Sequence, residues 1–306
     1  MIKKFIESVR EEKEGFSFDR PWRLEEKSLG VIIPILRKSR AKRNYITLIE
    51  AQAIKTEDTG QIDYVFVKND EKDSVLVSRG EIFRGKTQER AAIHDHIIEP
   101  GKGLRVAVRC IHASKGIQAG TEMKYGGRTP YDVAFETQGR TWEMSNTISV
   151  NYARESSNTT WGSSTSRDTL RSSDDLVSTL DEISDAMKVA MKKIPAIKNQ
   201  VGAAFFYENR MRGMDIYDLP LSWDAVKKDV VEKEGADFLK KDEAEMFKFK
   251  PEKGRALVKK FLSAPFEEKE IYNRDYKLIE LRSDKLIGEA IEYKNKVIHL
   301  TFWEKK

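Results

Sequence analysis

The sequence predicts an α+β fold in which an antiparallel β-sandwich or barrel-like sheets carry a few packed helices. Three observations lead there. Short runs of β-branched and aromatic residues, broken by Gly, Asn and Asp, recur between residues 31 and 111. A later segment repeats apolar residues at spacings of three and four, and the last thirty residues read as three further strands joined by tight turns.

In chain order, residues 1–30 mix charge with Phe5, Phe16, Phe18 and Trp22 and predict a short amphipathic arm. Residues 31–143 are expected to be mainly β. Val31-Ile32-Ile33-Pro34-Ile35-Leu36, Tyr45 to Ala51 and Tyr64 to Val67 are strand-like, with Thr59-Gly60 and Asn69-Asp70 as punctuation. Leu104, Val106, Val108 and Cys110 share one face while Arg105, Ala107 and Arg109 share the other, the period of a half-buried strand. Residues 144–173 are rich in Ser, Thr and Asn and predict an exposed polar loop around Trp161. From 174 to 306 an α+β region follows, packed on the first as one compact unit. Ser172 and Ser173 cap a helix with Asp174 and Asp175 in its first turn, and Leu176, Leu180, Ile183, Met187, Met191 and Ile194 line its apolar face before Pro195. A hairpin from Val201 to Tyr217, a helix from Trp223 to about Lys240, and a meander of Tyr276 to Leu281, Leu286 to Tyr293 and Val297 to Trp303 complete the chain.

Composition narrows the function classes. Hydrophobic residues make up 39% of the 306 positions, enough for a real core. The apolar run at 31–36 is far shorter than the roughly 20 residues of a membrane span and contains a proline, so no membrane association is expected. Glu7, Glu11, Glu12 and Glu14 interrupt any signal-like start, and a single cysteine forbids an internal disulfide; both favour the cytoplasm. Charged residues reach 34%, with Lys and Glu dominant, a composition of the heat-adapted kind. The net charge of +5 is a mild bias. Charge is concentrated in one place, Arg37, Lys38, Arg40, Lys42 and Arg43, five cations in seven residues.

The candidates for chemistry are few. Cys110 and His112 would share a strand face as a thiol and its base, but Cys110 continues an apolar face and is expected to be a buried structural residue. His94 and His96, with His112 as a third ligand and Asp95 behind them, are weak candidates for zinc, without a helical ligand signature or a cysteine pair, so no metal and no cofactor are expected. His299, alone between Ile298 and Leu300, is expected to have no ligand role. Pro100-Gly101-Lys102-Gly103 and Tyr125-Gly126-Gly127-Arg128 have the wrong context for a phosphate cradle and are expected to be turns. The densest motif is Gly80-Glu81-Ile82-Phe83-Arg84-Gly85-Lys86-Thr87-Gln88-Glu89-Arg90. Its glycines predict a bulge or tight bend, with Gln88 and Arg90 tying backbone across strands, and a ligand-contacting loop is the other reading.

Taken in order, Gly80-Glu81, Gly85-Lys86, Gln88 and Arg90, then Arg105 to Cys110, Gln138 and Trp142, Val201-Gly202, Gly213 to Tyr217 before a Trp-led helix, and Val297 to Phe302, this chain resembles the ARG-and-rhodanese-phosphatase-superfamily-associated protein domain family over roughly residues 30–303. That family has no known function. The arm, the basic run and the length of the polar loop stand outside the resemblance and are where a specialised role is expected.

No coherent catalytic set emerges, so the expected function is non-enzymatic binding of RNA or a ribosomal subunit by a homodimer, in the setting of translation under stress. The five cations would meet successive phosphates, Tyr45 would stack on a base, and the polar loop with Arg154, Trp161 and Arg167 would order on the partner. Long β edges and the aromatic arm, both in need of cover, suggest the dimer. The resemblance carries an alternative, an enzyme or sensor for a nucleotide or an ADP-ribose-like ligand, and a scaffold for protein partners is a third reading.

Overall fold

A strand buried on both faces needs no alternation, and the unbroken apolar run after Gly30 becomes the second strand of the largest sheet. The computed structural model describes residues 1–23, 30–86, 88–111, 116, 118–134, 192–207, 210–233 and 251–305. The expected polar loop at 144–173, the helix from Leu176, His112, Gln138 and Trp142 lie outside these residues.

The largest sheet has eight antiparallel strands, in spatial order β1 (Phe16–Phe18), β2 (Gly30–Arg37), β12 (Gln200–Tyr207), β13 (Arg210–Tyr217), β17 (Lys296–Glu304), β16 (Leu286–Tyr293), β15 (Lys277–Arg282) and β14 (Glu267–Asn273). The hairpin and the meander expected from the sequence are its centre. One face is covered by helices α1 (Ile2–Arg10) and α3 (Pro251–Leu262), with Ile2, Phe5, Ile6 and Val9 of α1 and Val258 and Leu262 of α3 meeting Val31, Ile33, Ile35, Phe206 and Phe302. On the other face, Ile32, Phe205, Tyr217, Ile298 and Trp303 pack against Trp223, Val226 and Val230 of helix α2 (Pro220–Glu232) and against a small sheet. That small sheet joins β3 (Tyr45–Thr47) parallel to β6 (Ser74–Val77), with β9 (His96–Ile98) antiparallel beyond.

The second body of β-structure is a closed six-stranded barrel. Its order is β10 (Gly103–Cys110), β5 (Tyr64–Asn69), β4 (Ile54–Asp58), β11 (Glu122–Arg128), β7 (Glu81–Gly85) and β8 (Glu89–Ala92). Alternation directs Val65, Val67, Val106 and Val108 inward to a core with Phe83 and Met123, so the period read at Leu104–Cys110 is the period of the barrel wall. Closure also removes the exposed edges of these six strands.

Three expectations change. The first residues form no separate arm: α1 is amphipathic and its apolar face, with Phe16 and Phe18, is buried against the large sheet. That covers the aromatic residues from within the chain. Tyr45–Thr47 is only three residues of strand before a 3-10 turn at Leu48–Glu50, closed by a capping box between Thr47 and Glu50. The Tyr125–Arg128 segment is no turn but the end of β11, where a register shift against β7 marks a bulge. The turn expected at Pro100–Gly103 does link β9 to β10. Among the described residues no helix is long and apolar enough to cross a membrane.

Candidate functional site

The Gly80–Arg90 stretch builds the joint between barrel and sheet. Gly80 turns the chain from β6 into β7 at a φ of +81°, and a Cβ there would lie 3.0 Å from Thr129 Oγ1. Glu81 is fully buried at that turn, where its carboxylate accepts from the Ser78 amide at 2.8 Å and from Arg128 Nη2 at 3.0 Å. Gly85 makes the β7–β8 bend, since a Cβ would fall 2.9 Å from the Gln88 carbonyl oxygen. Lys86 is exposed at the tip and Gln88 is buried behind it. Arg90, with no exposure, holds Asp58 through two hydrogen bonds of 2.9 and 3.0 Å and donates to the carbonyl oxygens of Gln61 and Ile62. These side chains close the barrel; Cys110, opposite Arg90, is buried, and burial raises its thiol pKa.

Between barrel and sheet lies a chain of buried charges drawn from distant segments. Asp95 Oδ2 meets His299 Nδ1 at 2.6 Å, and Asp215 Oδ1 meets His299 Nε2 at 3.2 Å. Lys233 Nζ, where α2 ends, donates to Asp215 Oδ2 at 2.7 Å. Tyr217 stacks on the His299 ring at 4.4 Å and its hydroxyl accepts from Arg128 at 2.9 Å. Toward β16, the Arg79 amide donates to Asp95 Oδ1 at 2.8 Å, while the Arg79 guanidinium reaches Glu289 at 3.0 Å. Glu289 also accepts from the Asp95 amide and pairs with His94 Nδ1, each at 2.6 Å.

Electrostatics follow from burial and neighbours. Burial alone would depress the His299 imidazole, but Asp95 and Asp215 on its two nitrogens overcome it and raise its pKa to about 9. Burial works against the Asp215 carboxylate too, and Lys233 with His299 holds it well below its usual range. Glu81 goes the other way: burial outweighs Arg128 and lifts it to about 7. His299 therefore stays an imidazolium with both nitrogens engaged and 1% exposure. Such a group has no lone pair to accept a proton and no open face for a substrate. The network locks two layers together, and His299 within it is not a base.

The zinc candidates part company. His94 is turned to Glu289, whereas His96 Nδ1 meets the Tyr276 hydroxyl at 2.7 Å. Burial, reinforced by His94, pushes His96 down to about 3, so it is neutral in the core. Among the described residues no group of three His, Cys, Asp or Glu is arranged to hold a metal ion. Asp95, expected behind them, faces His299 instead.

The basic run divides into anchors and free ends. Arg37 is spent on packing, its guanidinium 4.6 Å from the Phe16 ring centroid and 3.3 Å from the Asp218 carbonyl oxygen. Arg43 makes a two-pronged pair with Glu50 at 2.7 and 2.9 Å. Between them Lys38, Arg40 and Lys42 are exposed, and among the described residues none forms an ion pair. The segment before β12 runs beside the start of this loop, the Arg37 amide donating to the Asn199 carbonyl oxygen at 2.8 Å, and Lys198 in it is exposed. Tyr45 cannot stack on a base: it is 1% exposed, and its hydroxyl donates to Asp218 at 2.7 Å. Its position after the basic run hid the apolar contacts that bury it.

Asp215, Lys233, Arg79, Arg128 and Glu289 escaped the sequence reading. Their signal was an ionisable residue inside an apolar strand, as in Met214-Asp215-Ile216, which only a buried partner makes tolerable. The model of one protein family, the ARG and Rhodanese-Phosphatase-superfamily-associated Protein domain, matches residues 17–303, a span that includes the basic run. No curated protein and no solved structure matches the chain. With nearly its whole length inside that match, the chain belongs to the ARG and Rhodanese-Phosphatase-superfamily-associated Protein domain family.

Proposed function

We propose that the protein is an RNA-binding protein that grips the phosphate backbone with the loop between β2 and β3. One observation carries the reading: Lys38, Arg40 and Lys42 stand exposed and, among the described residues, without ion pairs, on a loop whose two ends are fixed by Arg37 and Arg43. Elsewhere on the surface exposed cations occur both paired, as Lys55, Lys68, Lys102 and Lys227 are, and without an ion pair among the described residues, as Lys72, Lys124 and Lys253 are; what distinguishes the loop is three of the second kind within five residues. Cations without an ion pair break no intramolecular pair when they meet a phosphate, and binding releases counterions from the polyanion.

The test is binding of a labelled RNA hairpin with single-stranded flanks, followed by fluorescence anisotropy at 50 to 300 mM salt. Wild-type binding should weaken steeply with salt. The Lys38→Ala/Arg40→Ala/Lys42→Ala variant should bind at least tenfold more weakly, with the log–log salt slope reduced by about 2, the expectation for three lost phosphate contacts. An unchanged slope in the triple variant would remove the loop from the interface, and no binding at 50 mM salt would end the RNA reading.

A further inference from the structure

The geometry points to a stacking platform for single-stranded RNA on the outer wall of the barrel, formed by Tyr64 and Phe66 of β5 with Arg105 of β10. This inference rests on the RNA-binding reading and adds to it which form of RNA is bound and where its bases go.

Large aromatic residues on a barrel wall ordinarily face the core, and Val65 and Val67 do so here with no exposure. Tyr64 and Phe66 alternate with them and point outward, at 39% and 37% exposure, with Ile62 at 46% just before the strand. Phe66 lies across Gly103, where a Cβ would fall 2.3 Å from the ring's Cζ, so at that position β10 offers no side chain to cover the ring. Opposite Tyr64 stands only Ala107. The two rings thus share an open, shallow face.

Charge around the rings is lopsided. On the β10 side Phe66 faces Arg105, which is exposed and, among the described residues, has no ion-pair partner. On the β4 side it faces Glu57, itself opposite Glu122 of β11, while the cations farther along this face, Lys55 and Lys68, are already paired with Asp70. A phosphate backbone crossing this wall is drawn to the Arg105 side and repelled from the Glu57 side, which leaves the bases over the rings. The spacing selects the form of RNA. Residues two apart on a strand are about 6.7 Å apart, roughly twice the 3.4 Å rise of stacked bases. Neighbouring bases reach both rings only when unstacked, as a single strand allows and a duplex does not.

The experiment compares a 5′-fluorescein-labelled ten-nucleotide RNA of mixed sequence with the same sequence in a blunt duplex, both titrated with the full chain at low salt. Three proteins are used: wild type, Tyr64→Leu/Phe66→Leu, which keeps an apolar cover over Gly103 but removes both π faces, and the loop variant Lys38→Ala/Arg40→Ala/Lys42→Ala. Wild type should prefer the single strand. The Leu pair should weaken single-strand binding by about 30-fold or more, the lower end for two stacked bases, with duplex binding and melting temperature unchanged; Arg105→Ala should act on the single strand in the same direction. If the Leu pair binds within twofold of wild type while the loop variant has lost binding, the platform is overturned and the loop reading stands. Preference for the duplex overturns the platform as well. If light scattering shows wild-type self-association that the Leu pair abolishes, the rings are a contact between copies and not a base platform. Failure of wild type to bind either RNA overturns both readings.

Discussion

Lys233 is 8% exposed and sits 2.7 Å from Asp215, whereas Lys42 stands in solvent and, among the described residues, has no ion-pair partner. The same ammonium group serves opposite ends. In the interior a charge is tolerated only where an opposite charge and hydrogen bonds replace water, and the result is a chain of partners that fixes the barrel against the sheet. On the loop, water does the solvating and the charge remains available to something outside. Substitution should therefore cost folding in the first place and binding in the second.

The comparison breaks most directly at His299. Replacing it with Ala leaves Asp95 and Asp215 facing each other across a void, and urea unfolding should register a loss of roughly 3–5 kcal/mol, as for other buried pairs cut on one side. A loss under 1 kcal/mol would mean that the buried chain is ornamental. Arg90→Ala comes next, at about 3 kcal/mol by the same argument, because Asp58 and two carbonyl oxygens lose their donor; circular dichroism melting reads it. A third effect depends on pH. His299 has its folded pKa raised from 6.5 to about 9, so its contribution is complete below pH 6.5 and is lost as the pH climbs through 9. Glu81, raised from 4.5 to about 7, acts in the same direction at lower pH, between about 4.5 and 7. The melting temperature should fall between pH 7 and 9, and His299→Gln should flatten that limb; a parallel fall in the variant would assign it to other groups. Arg43→Ala removes a half-exposed pair and should cost about 1 kcal/mol or less. Smallest of all, Lys38→Ala, Arg40→Ala and Lys42→Ala should each stay within about 0.5 kcal/mol of wild type in unfolding experiments, while affecting RNA binding as described.

Much of the architecture was legible because it depends on local pattern. The alternation of Val106, Val108 and Cys110, the hairpin around 208–209 and the turns at Ser283-Asp284 and Lys294-Asn295 each follow from residues close in sequence. Barrel closure does not: β10 meets β5 and β8, and β11 meets β4 and β7, pairings that no periodicity encodes. The same limit governs the charges. His299 alone between Ile298 and Leu300 offered no ligand role, but that it is buried and which carboxylates satisfy it depend on the loop before β9 and on β13 arriving from far away in the chain. Tyr45 and Tyr64 illustrate it on the surface. Both open strands and both look equally aromatic, yet one is covered by Asp218 and the sheet and the other faces outward from the barrel.

The buried charge chain also sets a timetable for synthesis. Asp95 is made 204 residues before His299, and Arg79 is made 210 residues before Glu289. At roughly 5–20 residues per second, those groups wait on the order of 10–40 s for their partners. Until β16 and β17 leave the ribosome, docking the barrel would bury carboxylates with nothing to balance them, so the half-made chain is better off wet and open. The last two strands of the polypeptide thus decide when the first half can finish folding, and truncations there should be cleared as unfolded protein, with no smaller stable domain left behind.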